Sequence, residues 1–139
     1  MKQFSIGVKS IIIYNKKILL LQRSRNRSSG KGKGEWEFPG GKVDFGEDFH
    51  TTLHREIREE TGLENIRIDK LLYAMTGVVN PELQTVALVY LCNANSNKVQ
   101  LSDEHTDFVW ADKKQLTGLL EDWMLDELAE HSILNSLEC

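Results

Sequence analysis

Two neighbouring apolar runs, VKSIIIY at residues 8–14 and ILLLQR at 18–23, limit the folds open to this chain more than any other feature. Both are rich in β-branched and aliphatic residues, and only Asn15-Lys16-Lys17 separates them, which predicts a β-hairpin. The apolar character is continuous rather than alternating, so both faces of these strands require cover. With 139 residues the chain is long enough to bury such a core, and a single domain spanning 1–139 is expected. NIRIDKLLYAM and LQTVALVYL predict two more strands joined by a turn at Asn80-Pro81, and FVWA predicts a short one. A helix is expected from Glu47 to Thr61, closed by Gly62. Asp112-Lys113-Lys114-Gln115 reads as a capping box opening a second helix. Leu125, Leu128, Ala129, Ser132, Ile133 and Leu137 fall at the spacing of a third. The class is α/β: a mixed sheet with helices packed on it.

Charge narrows the partners. The net charge is −4, which gives no general attraction to a nucleic-acid polymer or an anionic membrane. A small anionic ligand would need local positive charge, from side chains or from metal. The opening MKQFSIGVKSIIIYNKK is too short and interrupted in its apolar run for a signal peptide or a span. Cys92 and Cys139 do not make a disulfide framework, so a cytoplasmic setting is the default expectation.

Residues 41–63, GKVDFGEDFHTTLHREIREETGL, crowd Glu56, Glu59 and Glu60 together. At about 100° per residue, Phe49, Leu53 and Ile57 define an apolar stripe. Glu60 falls at about 20° on that wheel, between Phe49 and Leu53, with Glu56 beside it and Glu59 farther round. The three carboxylates span roughly 100° of arc and overlap the face that should be buried. Arg55 is the obvious local counter-charge. Massed carboxylates repel, and burial adds a desolvation cost, so the pattern calls for a cation among them. Oxygen-only ligands suit a hard divalent ion such as Mg²⁺ or Mn²⁺ rather than zinc.

Gly41, five residues, Glu47, seven residues, then REIREETGL at 55–63 resembles the Nudix box, G-x5-E-x7-R-E-U-x-E-E-x-G-U with U apolar, at every specified position. A preceding strand pair, EFPGG leading into the box and SDEHTDFVW after a later strand resemble the MutT-type branch. The resemblance implies the Nudix α/β/α sandwich and hydrolysis of a nucleoside diphosphate linked to another group, with divalent metal. It implies that Glu59, Glu60 and the Gly40 carbonyl hold metal, and that Glu56 acts as base or as a further ligand. Glu104, six residues before Trp110, matches a downstream acidic ligand. Arg55 and Glu47 match the pair that supports the helix, Arg55 standing beside Glu56 and Glu59 in the catalytic set. Gly41, Glu47 and Gly62 are structural support. Arg23, Glu37, Phe38, Pro39 and Gly40 are the expected substrate contacts.

Arg25, Arg27, Lys31 and Lys33 share a loop with Arg23 and are either phosphate contacts or a solvated surface. Trp123 is a stacking platform or an apolar anchor, and His105, next to Glu104, a pocket residue or a packing one. The expected substrate is a (deoxy)nucleoside triphosphate or a nucleotide sugar, with Mg²⁺ as cofactor and Mn²⁺ as substitute. The expected partner is that small nucleotide, with neither membrane nor nucleic-acid polymer; a homodimer is compatible with it. The alternative is a catalytically silent nucleotide-binding module on the same fold. The asparagine that purine-reading MutT-type sites use near the final helix is not placed in the last third, where the nearest stretch reads EDWML.

Overall fold

The computed structural model describes residues 1–23 and 35–137, so Arg25, Arg27, Lys31, Lys33 and Cys139 lie outside the described residues. The elements are β1 (Gln3–Tyr14), β2 (Lys17–Arg23), β3 (Trp36–Glu37), β4 (Gly40–Lys42), α1 (Phe49–Thr61), β5 (Arg67–Asn80), β6 (Leu83–Asn93), β7 (His105–Ala111), α2 (Lys113–Leu119) and α3 (Asp122–Glu130), then a short 3-10 turn at Leu134–Ser136. The strands form one mixed sheet in the order β3-β2-β1-β6-β5, with β4 paired to β1 and β7 to β2. β1 lies at its centre, antiparallel to β2 and β4 and parallel to β6.

The hairpin between β1 and β2 forms as expected, with Asn15 and Lys16 both in the left-handed region at φ 52° and 63°. Such a two-residue turn matches the natural twist of paired strands. The continuous apolar runs feed two cores. Ile11, Ile18 and Leu20 pack with Leu116, Leu120 and Leu128 from α2, α3 and the segment between them. Val8, Ile12, Leu19 and Leu21 pack with Leu53 and Ile57 of α1. Successive strand residues point to opposite faces, so both faces of β1 and β2 are covered. This is an α/β/α sandwich.

Helix α1 begins two residues later than expected. Asp48 is the cap, its carboxylate accepting the Thr51 N–H at 2.8 Å, because the Glu47 side chain is engaged by Arg55 and Thr52. Gly62 ends the helix at φ 74°, donating its N–H to the Arg58 carbonyl. The capping box at Asp112 and Gln115 is present on α2.

The last helix is shorter than its apolar spacing suggests. α3 stops at Glu130, and Ser132 sits at φ 62°. The Ile133 N–H returns to the Leu128 carbonyl and the Ser132 N–H to the Ala129 carbonyl, the hydrogen-bond pair of a Schellman motif. Ile133 and Leu137 reach the same core as Leu128, but from beyond the helix end. The i, i+4 apolar spacing therefore runs on through a break in the helix. A side chain in the left-handed region costs roughly 1–2 kcal/mol, a penalty glycine avoids. Ser132→Gly is expected to stabilise the protein by about 0.5–1 kcal/mol, read as a rise in the urea midpoint at unchanged slope. An unchanged or lowered midpoint would show that the turn carries no such strain.

Candidate active site

Three structural units meet at the centre of the sheet: the start of β4, helix α1 and the loop before β7. Register places Gly40 of β4 opposite Lys9 of β1 and Gly41 opposite Val8. The backbones are so close here that a Cβ on Gly40 would collide with the Val8 carbonyl. One turn of α1 then sets Glu56 and Glu60 against this ladder. The Gly40 N–H donates to Glu60 Oε1 at 2.9 Å. The Glu56 carboxylate occupies the space where a Gly41 side chain would start.

The glutamates have different surroundings. Glu60 is only 6% exposed, and burial pushes its carboxyl up to about 7, against the opposing influence of the Gly40 N–H, Lys9 and His105. Glu56 is also raised, first by burial, although Arg55 donates to its Oε1 at 2.9 Å; Glu59 and Glu104 add repulsion. The Glu59 side chain is 56% exposed and receives an Arg55 N–H at 3.2 Å. Arg55 is the hub beneath them. Its Nε and Nη2 reach Glu47 Oε2 and Oε1, both at 2.8 Å, in a bidentate pair that fixes the guanidinium plane. Thr52 Oγ1 donates to Glu47 as well, at 2.9 Å. Together with Arg55 these bonds hold the Glu47 carboxyl down at about 2.

Glu56, Glu60, Glu104, Glu37, Gly40 and Gly41 line one cavity of about 310 Å³, which Lys9 and Lys42 also border. Glu59 is not on its wall, and Pro39 lines neither this cavity nor its neighbour. The Pro39 carbonyl instead accepts two hydrogen bonds from Ser10, both at 2.8 Å. The neighbouring cleft, of about 240 Å³, has aromatic and thioether walls, including Trp36, Phe38, Tyr73, Met75, Trp123 and Met124. Arg23, Glu37, Glu121 and Lys9 add its polar groups. Trp123, 45% exposed, turns its ring to this cleft rather than the core, and its indole N–H meets Glu121 at 3.1 Å. Glu121, Trp123 and Met124 of the EDWML stretch thus wall the cleft, while Leu125 packs against the core.

The arrangement suits a hard cation. The donors in the cavity are oxygen atoms, and a buried carboxyl beside the like-charged Glu56 is short of positive charge. Glu56, Glu60, Glu104 and the Gly40 carbonyl are the groups that could hold one, with Glu59 at the outer edge. No three of these carboxylates converge to within 4.8 Å of one another. Among the described residues, the three ligand atoms that do so belong to Glu127, Glu130 and His131 at the end of α3, away from this cavity.

Lys9 falls outside the expected set of site residues, and His105, weighed as a pocket or a packing residue, is buried behind Glu37 rather than on the cavity wall. Lys9 Nζ stands 3.3 Å from the Phe38 carbonyl and 3.6 Å from Glu37 Oε1. His105 Nε2 lies 2.7 Å from Glu37 Oε2, and its buried Nδ1 has no hydrogen-bond partner among the described residues. Burial would raise Glu37, but His105, Lys9 and Arg23 outweigh it and bring its carboxyl down to about 2. Lys9 has a visible signal in the sequence: it is the one charge inside VKSIIIY.

Two outcomes are expected. Gly41→Ala places a methyl on the Glu56 carboxylate and forces that side chain out of position. Mn²⁺ affinity, measured by electron paramagnetic resonance, should fall at least about tenfold while thermal unfolding stays cooperative; unchanged affinity would contradict the cradle. Glu47, depressed in the folded state, contributes stability that is full above about 4.5 and lost as pH falls toward about 2. Glu47→Gln should therefore be less stable than the parent at neutral pH, the gap closing between those limits in urea titrations.

Residues 5–131 match the model of the NUDIX domain family. The RNA pyrophosphohydrolase of Pelagibacter ubique is 26% identical over 136 residues, covering 83% of this chain and 81% of that protein. A MutT-like protein of Streptomyces ambofaciens is 32% identical over 108 residues, covering 76% of this chain but only 62% of its own length. Among solved structures, the MutT protein of Methanosarcina mazei Go1 superposes with a TM-score of 0.79 at 28% identity, over 96% of each chain. The E. coli ORF135 protein gives 0.74 at 26% identity, over 96% of this chain and 92% of that one. The chain belongs to the Nudix family, in its MutT-type branch, and is a hydrolase of that type.

Proposed function

We propose that this hydrolase cleaves the pyrophosphate linkage of a nucleoside diphosphate derivative, a (deoxy)nucleoside triphosphate or nucleotide sugar, with Mg²⁺, for which Mn²⁺ can substitute. The observation that carries this reading is the adjacency of the two cavities. A wall of carboxylates suited to cations and phosphates shares Lys9 and Glu37 with an aromatic cleft suited to a planar base. Glu59, Glu60, Glu104 and the Gly40 carbonyl would hold the metal, with Glu56 as base or as a further ligand. The divalent ion would neutralise the anhydride and lower the pKa of water. A cytoplasmic setting accords with this substrate, and no helix among the described residues is long and apolar enough to cross a membrane.

In the reaction a water oxygen forms a new P–O bond, the bridging P–O bond breaks, and the water proton passes to a carboxylate. Glu56 is the acceptor favoured by position, since it lines the cavity and burial has raised its proton affinity. Arg55, bonded to Glu47, Glu56 and Glu59, keeps that carboxylate oriented. Glu60 stays anchored by the Gly40 N–H. Trp123 would flank the base and Arg23 would meet its phosphates, while Phe38, 4% exposed and part of the core rather than an open contact, closes the cleft from behind.

The test is a panel of nucleoside triphosphates and nucleotide sugars, with 5′-triphosphorylated RNA added because the Pelagibacter relative bears that activity in its name. Phosphate release with Mg²⁺, abolished by a chelator, is the expected result. Glu60→Gln should lower turnover at limiting metal, and Glu56→Gln should lower kcat by on the order of 10² or more at saturating metal. Full chelator-resistant turnover would overturn the metal role, and nucleotide binding with no product under any divalent ion would make the chain a silent binder. RNA as sole substrate would move the reading to polymer ends.

A further inference from the structure

The acidic cavity and the aromatic cleft are joined by a seam that Lys9 and Glu37 occupy on both sides. Strand register puts Lys9 there. It faces Gly40 on β4 and Val89 on β6, and Val89 in turn faces Tyr73 on β5. This row crosses the sheet and forms the floor of the cleft, with Val89 almost wholly buried and Tyr73 partly so. Lys9 is the row's one charged side chain and stands next to Gly40, on the side of the carboxylates.

A lysine on an apolar floor would be tolerated for structure alone if its ammonium were fully engaged. It is only loosely engaged. The Phe38 carbonyl at 3.3 Å and Glu37 Oε1 at 3.6 Å are long contacts for a charged donor with three N–H groups. The other Glu37 oxygen has the much shorter 2.7 Å contact, and its partner is His105. About a third of the Lys9 side chain is exposed, toward the two cavities it lines. It is tethered at the seam with its charge open to a ligand.

We propose that Lys9 binds the phosphate adjoining the nucleoside, so that the preferred ligands are nucleoside 5′-phosphates bridging cleft and cavity. This rests on the reading of the two cavities given above. A base between the aromatic walls and an anhydride among the carboxylates leave the sugar-linked phosphate at the seam. A flexible ammonium serves there as a point charge that follows the phosphate through cleavage. Lys9 is then a substrate-positioning residue, tethered at the seam by Glu37, which His105 holds in turn.

The test separates phosphate from base. Binding of nucleoside 5′-monophosphates and of the matching nucleosides, in saturating Mg²⁺ where no anhydride is present to be cleaved, is measured by calorimetry for wild type, Lys9→Arg and Lys9→Met. Lys9→Met should narrow the preference for monophosphate over nucleoside roughly tenfold, leaving nucleoside affinity within about twofold, and Lys9→Arg should restore most of it. In turnover, Lys9→Met should raise KM more than it lowers kcat. An unchanged preference in Lys9→Met, or an equal loss of nucleoside and monophosphate binding, would make Lys9 a packing residue even in an active enzyme. If the wild type binds no nucleoside 5′-monophosphate in Mg²⁺, the reading of the cavities fails and this assignment falls with it.

Discussion

The hydrogen bond from the Gly40 N–H to Glu60 Oε1 couples the sheet to the chemistry of the site. It spans 20 residues and is buried, so the carboxylate cannot swing out to water without leaving a backbone donor unmet. The bond forms only because Gly40 lets β4 lie against β1, and because Leu53 and Ile57 hold α1 down on the same face. The core packing therefore does more than stabilise the helix. It delivers a carboxylate into surroundings where that group has ceased to be a normal acid.

Like charges assembled this way need restraint, and Arg55 provides it from below. One guanidinium contacts Glu47, Glu56 and Glu59, and its bidentate pair with Glu47 is the best-formed of these. Glu47 lies outside the helix, beyond the Asp48 cap, so the pair also fastens the incoming loop to α1. Positive charge on Arg55 offsets the repulsion between Glu56 and Glu59 without entering the cavity. The cavity itself stays short of cations, apart from the lysines at its border. The restraining charge thus lies on one side of these carboxylates and the cavity on the other.

Much of this was legible in the chain because it depends on short-range rules. The hairpin at Asn15-Lys16, the Asp112–Gln115 box and the Gly62 cap are local, and each formed where its residues stand. The overlap of Glu60 with Leu53 and Ile57 on the apolar stripe foretold its burial, since helical phase fixes direction, although Phe49, the stripe's first member, is 40% exposed at the helix start. What was illegible depends on register or on backbone breaks. Nothing in VKSIIIY states that Lys9 will lie opposite Gly40, because that strand pairing is set across a separation of 31 residues (40 − 9). The end of α3 escaped for the opposite reason: Ser132 leaves the helix by a local turn, yet Ile133 and Leu137 keep to the core and mimic continued periodicity.

The same distinction bears on how one scaffold can serve different substrates. Most of the acidic cavity comes from the box and the β4 ladder, which fix Gly40, Gly41, Glu56 and Glu60 through a strand pair and one helix turn, while Glu37 and Glu104 enter from β3 and the loop before β7. The aromatic cleft draws on α3, the ends of β2 and β3, and the middle of β5 and β6, elements with no shared motif. Substitution at Glu121, Trp123 or Met124 would reshape that cleft while leaving the Gly40–Glu60 bond and the Arg55 hub untouched. The acidic cavity thus draws most of its wall from one contiguous stretch, with Lys9, Glu37 and Glu104 added from outside it, whereas the lining of the aromatic cleft is distributed over the fold. Lys9 belongs to both regions because β1, the central strand, borders each of them.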